Sequence, residues 1–443
     1  MTASPTRGSN RPSDWALIVS AQVLDGIAGY AFLITAGRLL GPAGFAPVSV
    51  MWTAQFLIGS GLFLAYELEL ARSTAEGITR GESTSGRYRA TGQIFVVQLV
   101  AVSVALLALV PVLTNRLFDG EPIVSVALAI GVLGFAITHL IRGPLAGLGL
   151  LRLFALWFVV DAVAQTLALV ALSVTGVRSP GPFALAAGGA SIVAVVVVSL
   201  AGRNSRAAVA KHGAKIDPRF AARGPIVRSL SSLIGATLLT GMVTNIGAVA
   251  ITWLDRSRST APAVFIAGLI LTRPPLLLFQ TAQATLIPRF TSLATAGDIR
   301  GFTRKMTLLV AGVAMTALVA CAGAAQIGPW LLRTLFGTGY RLSSFVLVLQ
   351  TAATFSAILA LALGLGLISL SRQDLVAACW AAGVLALGLT LTLPGELTLR
   401  VARAMVVAGG AASASMMLAL LSELRSRRRS MPRRGGPTVV PAH

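Results

Sequence analysis

Apolar runs of about 20 residues recur along the whole chain, separated by short basic segments. A helix of that length spans the hydrocarbon core of a bilayer. Inside lipid, only helices and closed barrels satisfy their backbone hydrogen bonds, and these continuous runs lack the alternation of barrel strands. Composition agrees, because hydrophobic residues occupy 55% of the 443 positions and charged residues only 12%. The sequence therefore predicts an all-α protein that crosses the membrane many times.

Hydropathy predicts twelve spans arranged as two six-helix lobes. The boundary between the last two spans rests on one turn signal, Pro394-Gly395-Glu396. The predicted spans are 15–39, 44–66, 93–113, 122–141, 154–175, 183–202, 229–253, 262–287, 306–327, 344–368, 375–393 and 399–421. The predicted domains are a cytoplasmic tail at 1–14, an N-lobe at 15–202, a basic cytoplasmic linker at 203–228, a C-lobe at 229–421 and a basic cytoplasmic tail at 422–443.

Charge distribution predicts the orientation of these spans. If the amino terminus is cytoplasmic, 26 of the 36 Lys and Arg residues lie in cytoplasmic segments and only 9 in the opposite turns. This bias places both termini in the cytoplasm. Topology and attraction to anionic lipid headgroups account for the net charge of +21, so we expect membrane lipids and no nucleic acid as partners.

The sequence gives no sign of a metal site, a cofactor or direct use of ATP. Cys321 and Cys379 both fall within predicted spans, and the three histidines are too scattered to form a cluster. None of the three lysines lies in a glycine-rich phosphate-binding loop. We therefore expect no metal and no cofactor, although coupling to H⁺, Na⁺ or the membrane potential stays open.

Ionisable residues inside the spans are the main candidates for function, because a charge there is costly unless it faces a cavity or a partner. Asp25 lies near mid-depth in the first span. Gln22, Asp25, Gly26, Gly29 and Tyr30 share one small, polar helix face. This face suits a water-filled cavity, with Asp25 as a possible coupling residue. A helix-packing face with one buried carboxyl group is the alternative.

Arg273 is the second candidate, near mid-depth in the eighth predicted span. Pro274 and Pro275 follow it and predict a kink that frees backbone carbonyl groups to line a cavity. A guanidinium group at that depth needs an anion or a carboxylate, so Arg273 faces either substrate phosphate or an acid such as Asp25. Gln280 falls near the same helix face.

Three further acids are weaker candidates. Asp161, with Gln165 one turn later, lies in the fifth span and suits either a coupling role or a packing hydrogen bond. Glu67, Glu69 and Arg72 end the second span and predict an ion network at the cytoplasmic interface.

Five short motifs in the same order resemble those of polysaccharide-biosynthesis flippases, which belong to the multidrug/oligosaccharidyl-lipid/polysaccharide (MOP) exporter superfamily. The resemblance covers about residues 15–421. The motifs are GRLLGPAGF at 37–45, ELELARSTAE at 67–76, IRGPLAGLG at 141–149, QATLIPRF at 283–290 and LRTLFGTGY at 332–340.

This resemblance implies a MATE-like fold of two six-helix lobes around a central, often cationic cavity lined by spans 1, 2, 7 and 8. It implies a bacterial inner-membrane protein, not an enzyme, that flips lipid-linked oligosaccharide to the outer leaflet by alternating access. A monomer is expected, with possible glycan-assembly partners. The cavity is poor in arginine for a pyrophosphate carrier, so Arg38 and Arg289 would contribute from its rims. A neutral or monophosphate carrier remains open.

Three other functions stay open at this point. On the same fold, a cation-coupled multidrug exporter would use Asp25 as its coupling site. A membrane-embedded glycosyltransferase or ligase is disfavoured, because the outer turns are short and carry few acids. A membrane scaffold for glycan assembly is disfavoured by the charges inside the spans.

Overall fold

The computed structural model describes residues 12–80, 85–202, 223–255, 257 and 259–430. Within these ranges the chain is almost entirely helical, as predicted. The predicted linker falls almost wholly outside them, since residues 203–222 are not described. The helices are α1 (Pro12–Arg80), α2 (Ser85–Arg116), α3 (Pro122–Gly147), α4 (Leu151–Val174), α5 (Pro180–Ala201), α6 (Arg223–Leu254), α7 (Ala261–Thr272), α8 (Pro274–Thr295), α9 (Ile299–Gln326), α10 (Gly328–Phe336), α11 (Ser344–Ser369), α12 (Gln373–Leu391) and α13 (Leu397–Ser430).

Helix α1 joins the first two predicted spans across a kink at Gly41. This residue has a φ of 67° and a ψ of 175°, and Pro42 follows it. A positive φ is strained for residues with a side chain, so glycine suits the kink. The second half of α1 runs to Arg80, beyond the predicted end at residue 66.

The eighth predicted span is broken at Arg273. Helix α7 ends at Thr272 and α8 begins at Pro274, with an angle of 45° between the two helices. The predicted kink is therefore present, but it separates two helices, and Arg273 is the residue between them. Prolines at the first helical positions of α8 lack an N–H, which costs nothing where a helix begins.

Ten helices are long and apolar enough to span a membrane, or eleven if α7 and α8 count as one bent span, within the described residues. The chain is therefore a multi-pass membrane protein. Twelve spans would follow if the two halves of α1 cross separately, and that number stays a prediction. Two features were not predicted: the short helix α10, and the continuation of α13 to Ser430, which makes the start of the basic tail helical.

The helices pack as two groups. In the N-terminal group, α3, α4 and α5 pack against α1. In the C-terminal group, α8 and α9 pack against α11, and both α11 and α12 pack against α13. Helix α6 contacts both groups. Helices α2 and α9 keep most of their apolar side chains exposed, which suits contact with lipid. One continuous apolar core includes Phe32 of α1, Phe183 of α5 and Val401 of α13 and so connects the two groups.

Candidate functional site

A cavity of about 2130 Å³ lies between the two helix groups. At one end the cavity lining reaches three solvent-exposed residues, Arg72, Gly224 and Gln373. We call this the mouth end. In the other direction the lining stops at Ile34 and Ile266. The cavity is thus open at the end that charge distribution predicts to be cytoplasmic.

A seam between the two helix groups lies beyond the inner limit of the cavity. The Tyr340 hydroxyl donates a hydrogen bond of 2.8 Å to the carbonyl oxygen of Gly37, and Tyr340 is 1% exposed. The ring centroid of Phe45 lies 5.9 Å from that of Phe336 and 6.2 Å from that of Tyr340. We call Gly37, Phe45, Phe336 and Tyr340 the closed-end seam. It brings together two of the five sequence motifs, GRLLGPAGF and LRTLFGTGY.

Arg273 projects into the cavity from the C-terminal group. Its guanidinium donates to the backbone carbonyl of Thr244 at 2.7 Å and to Oδ1 of Asn245 at 3.3 Å, and both partners are neutral. No carboxylate of the described residues forms an ion pair with it. The predicted alternative of a pair with Asp25 is therefore absent. Several of its N–H donors remain for a ligand, because a guanidinium has five.

Asp25 and Asp161 face each other in the N-terminal group. The two carboxyl groups are close enough to interact directly, and a hydrogen bond between them would require a proton on one of them. The amide of Gln165 donates to Oδ2 of Asp161. The Oδ1 atoms of both acids are buried and have no hydrogen-bond partner among the described residues. A carboxyl pair of this kind can hold a proton or a small cation.

A buried ion network occupies the same wall nearer the mouth end. Glu67 of α1 accepts from Nδ1 of His139 at 2.7 Å and pairs with Nη2 of Arg142 at 3.2 Å. The Arg142 guanidinium lies 4.4 Å from the ring centroids of Phe154 and Phe158. Aromatic faces favour a desolvated cation, so three helices hold this arginine in place.

Most of the predicted site residues line the cavity. Gln22, Asp25, Tyr30, Asp161, Arg273 and Gln280 are among its lining residues. Tyr30 lies within electrostatic range of Arg273. Arg38 and Arg289, which were expected at the rims, are exposed and do not line it.

Sequence reasoning missed part of the site. Arg142 falls between the predicted spans 122–141 and 154–175, but it is 9% exposed within α3, so the walls hold a second cation besides Arg273. The i, i+3 spacing of His139 and Arg142 was an available signal for a shared face. Glu69 and Arg72 do form the predicted ion pair, at 2.8 Å, whereas Glu67 belongs to the deeper network.

The sequence is similar to several bacterial proteins without an assigned function. Two uncharacterized proteins of Mycobacterium tuberculosis match: one is 27% identical over 417 residues, covering 90% of this chain and 91% of its own length. The other is 26% identical over 407 residues, covering 90% and 89%. No family model matches the sequence.

Solved structures of transporters match nearly the whole chain. An inward-facing multidrug resistance MATE family transporter of the MOP superfamily has a TM-score of 0.71 at 11% identity, covering 94% of this chain and 100% of its own. A eukaryotic MATE transporter has a TM-score of 0.66 at 15% identity, covering 94% and 98%. An outward-facing MATE family transporter of the MOP superfamily has a TM-score of 0.61 at 11% identity, covering 97% and 100%. The chain has the fold of the MATE transporters of the MOP superfamily.

Proposed function

We propose that this protein is a flippase of the bacterial cytoplasmic membrane. It moves an oligosaccharide linked to a polyprenyl-phosphate type of lipid from the cytoplasmic to the outer leaflet by alternating access. The observation that carries the proposal is Arg273, a cavity cation with two neutral partners and no carboxylate among the described residues. A charge held there is costly without an anion, and a phosphate oxygen fits a guanidinium fork.

The shape of the cavity supports an amphiphilic substrate. Its lining combines apolar side chains such as Leu277 and Trp380 with polar ones such as Gln280 and Gln283. A volume of about 2130 Å³ exceeds the few hundred to 1,000 Å³ of ordinary small-molecule sites. A headgroup with several sugars would fill such a space, and its phosphate would lie against Arg273.

Flipping of a fluorescent polyprenyl-phosphate oligosaccharide in proteoliposomes tests the proposal. Arg273→Ala should abolish flipping, whereas Arg273→Lys should keep part of it, because the ammonium group neutralises charge but lacks the bidentate fork. Arg38→Ala is the matched control, since Arg38 is exposed outside the cavity, and it should flip at the wild-type rate. Wild-type flipping by Arg273→Ala would overturn the proposal.

A second candidate is a cation-coupled multidrug exporter, favoured by the carboxyl pair of Asp25 and Asp161. A carboxylate in the cavity wall can attract a cationic drug or exchange it for a proton. Uptake of a cationic dye into the same proteoliposomes separates the two. Dye transport that depends on Asp25 and not on Arg273 would favour the exporter.

The direction of transport depends on the predicted orientation. A reporter fused after residue 215 should be cytoplasmic, and one in the turn at 256–259 should lie outside. The opposite result would reverse the side on which the cavity opens.

A further inference from the structure

Three partly exposed aromatic rings form a continuous strip on the N-terminal wall of the cavity. The ring centroids of Trp52 and Phe56 in α1 lie 5.5 Å apart, and those of Phe56 and Phe135 of α3 lie 5.0 Å apart. The buried ring of Phe32 stacks on Trp52 at 6.3 Å, with 16° between the ring planes. We call Trp52, Phe56 and Phe135 the aromatic strip. Packing among these rings holds their orientation, and their remaining surface lines the cavity.

Contacts between α1 and α6 define the depth of the strip in the protein. The Ser229 hydroxyl donates to Glu69 at 2.8 Å, and the Thr237 hydroxyl donates to the carbonyl oxygen of Gly61 at 2.7 Å. Residue numbers therefore rise along α6 as they fall along the second half of α1, so the two helices are antiparallel. The same number of residues separates the two contacts along each helix, which makes the register regular.

This register places the aromatic strip at the depth of Arg273. Gly241 packs against Leu57, as the register requires. By the same register Thr244 lies level with residue 54, which is between the two α1 rings of the strip. The carbonyl oxygen of Thr244 accepts a hydrogen bond of 2.7 Å from the Arg273 guanidinium. The strip and this guanidinium therefore lie at one level of the cavity.

Hydroxyl groups line the cavity on the adjoining face of α6. Ser232, Thr240 and Thr244 recur at intervals of one helical turn and are all lining residues. The Thr240 hydroxyl donates to the carbonyl oxygen of Ala236 at 2.8 Å. A hydroxyl oxygen that donates in this way still has lone pairs that can accept hydrogen bonds. The α6 face therefore offers acceptors beside the apolar strip.

A sugar ring matches these two surfaces. Its C–H faces are apolar and slightly electropositive, so they pack well against the electron-rich faces of aromatic rings. Its edge carries hydroxyl groups that donate and accept hydrogen bonds. In a polyprenyl-phosphate glycan the first sugar is bonded directly to the phosphate. A phosphate at Arg273 therefore leaves that sugar at the depth of the aromatic strip.

We propose that the aromatic strip is the subsite for the sugar that is bonded to the substrate phosphate. Trp52 and Phe56 contact a face of the ring, and Thr240 accepts a hydrogen bond from one of its hydroxyl groups. The strip thereby distinguishes the glycosylated carrier from the bare lipid phosphate, which Arg273 alone would hold. This inference rests on the proposed function, because it needs the phosphate at Arg273.

Binding of two lipids to the full-length protein in nanodiscs tests the proposal. The probes are a polyprenyl monophosphate and the same lipid phosphate carrying one glucose. Wild type should bind the glucosylated lipid about tenfold more tightly. Trp52→Leu and Phe56→Leu should each reduce this preference to about threefold or less and leave the affinity for the bare phosphate unchanged. Trp52→Phe keeps an aromatic face and should keep most of the preference.

The matched control is Trp253→Leu, which removes a tryptophan of α6 that is 49% exposed and does not line the cavity. It should keep the full preference. Phe56→Leu carries the test if Trp52→Leu does not fold, and an undiminished preference in Phe56→Leu would overturn the proposal.

The bare lipid separates this proposal from the proposed function. Equal affinities of wild type for the two lipids, each lowered in Arg273→Gln, would overturn the sugar subsite and leave the flippase standing. Binding of neither lipid would overturn both. A flat cationic dye that binds through Phe56, without any preference for the glucosylated lipid, would also overturn the sugar subsite and favour the multidrug exporter.

Discussion

The two walls of the cavity treat charge in opposite ways. The N-terminal wall holds three acids beside one buried arginine, and these groups pair partly with one another across α1, α3 and α4. The C-terminal wall presents Arg273, whose hydrogen-bond partners among the described residues are neutral atoms of α6. Charge that is paired within the protein serves stability or proton exchange, whereas an unpaired cation beside a cavity serves an anionic ligand. Under the proposed function, the first wall would exchange protons and the second would bind the substrate phosphate.

The largest expected effect concerns stability at Glu67. Glu67→Gln leaves Arg142 buried without its carboxylate, and breaking a buried ion pair in this way costs about 3–5 kcal/mol. The unfolding midpoint in detergent should fall accordingly. Arg273→Gln should leave stability within about 1 kcal/mol of wild type, because no carboxylate loses its partner there.

Glu69→Gln is the matched control for Glu67→Gln. It makes the same chemical change two residues later on α1, but the partner of Glu69, Arg72, has a side chain that is 53% exposed. The Glu69 side chain is itself only 4% exposed, but Arg72 stays hydrated and keeps Glu76 as a partner, so the loss should be smaller than at Glu67. If the two variants lost equal amounts of unfolding free energy, the buried pair of Glu67 and Arg142 would be no more important for stability than the pair of Glu69 and Arg72.

A smaller effect, on transport alone, is expected for Asp25→Asn. The asparagine amide cannot bind and release a proton. The substitution also removes one of two adjacent acids, so the free energy of unfolding should stay the same or rise. Transport driven by an imposed pH gradient should fall by at least about tenfold, in line with a coupling free energy of 1–3 kcal/mol. The exposed Asp374→Asn should transport normally. A full rate in Asp25→Asn would reduce the carboxyl pair to a packing role.

The smallest effect is expected at the closed-end seam, which both walls share. Tyr340→Phe keeps the aromatic packing but loses the hydrogen bond to Gly37, which contributes about 1 kcal/mol. The closed end should then open about fivefold more often. Thr53 lines the cavity. Thr53→Cys, in a Cys321→Ser and Cys379→Ser background, would report this opening through labelling by an impermeant maleimide from the outer side.

Tyr66→Phe is the matched control for the seam. The Tyr66 hydroxyl donates to Gln98 within the N-terminal group, so its loss should leave labelling of Thr53→Cys unchanged. Equal labelling in Tyr340→Phe and wild type would show that the Gly37 hydrogen bond does not hold the closed end.

The C-terminal wall was easier to predict from sequence than the N-terminal wall. Arg273 interrupts a long apolar run beside two prolines, so both its depth and the kink can be read from neighbouring residues. The position of Asp25 could be predicted for the same reason, because it also interrupts a long apolar run. Its neighbour Asp161 could not be predicted in the same way, because the approach of the two acids depends on the packing of α1 against α4.

Arg142 shows where local pattern fails. It stands at the end of an apolar run, directly before Gly143 and Pro144, and this sequence is typical of a turn. In the structure α3 continues to Gly147, and Phe154 and Phe158 of α4 cover the guanidinium. Long-range packing decides this burial. The sequence likewise predicted two separate spans where α1 continues across its kink at Gly41 without a loop.

The division between the walls is tested most directly by ligand-induced stabilisation of the purified protein. Polyprenyl monophosphate and a cationic amphiphile would each be added to wild type, Arg273→Gln and Asp25→Asn in detergent. At about 100 times its dissociation constant, a ligand stabilises the folded state by about 2.7 kcal/mol. The account predicts that the phosphate lipid raises the melting temperature of wild type and Asp25→Asn but not of Arg273→Gln. Equal stabilisation of Arg273→Gln by the phosphate lipid would contradict it.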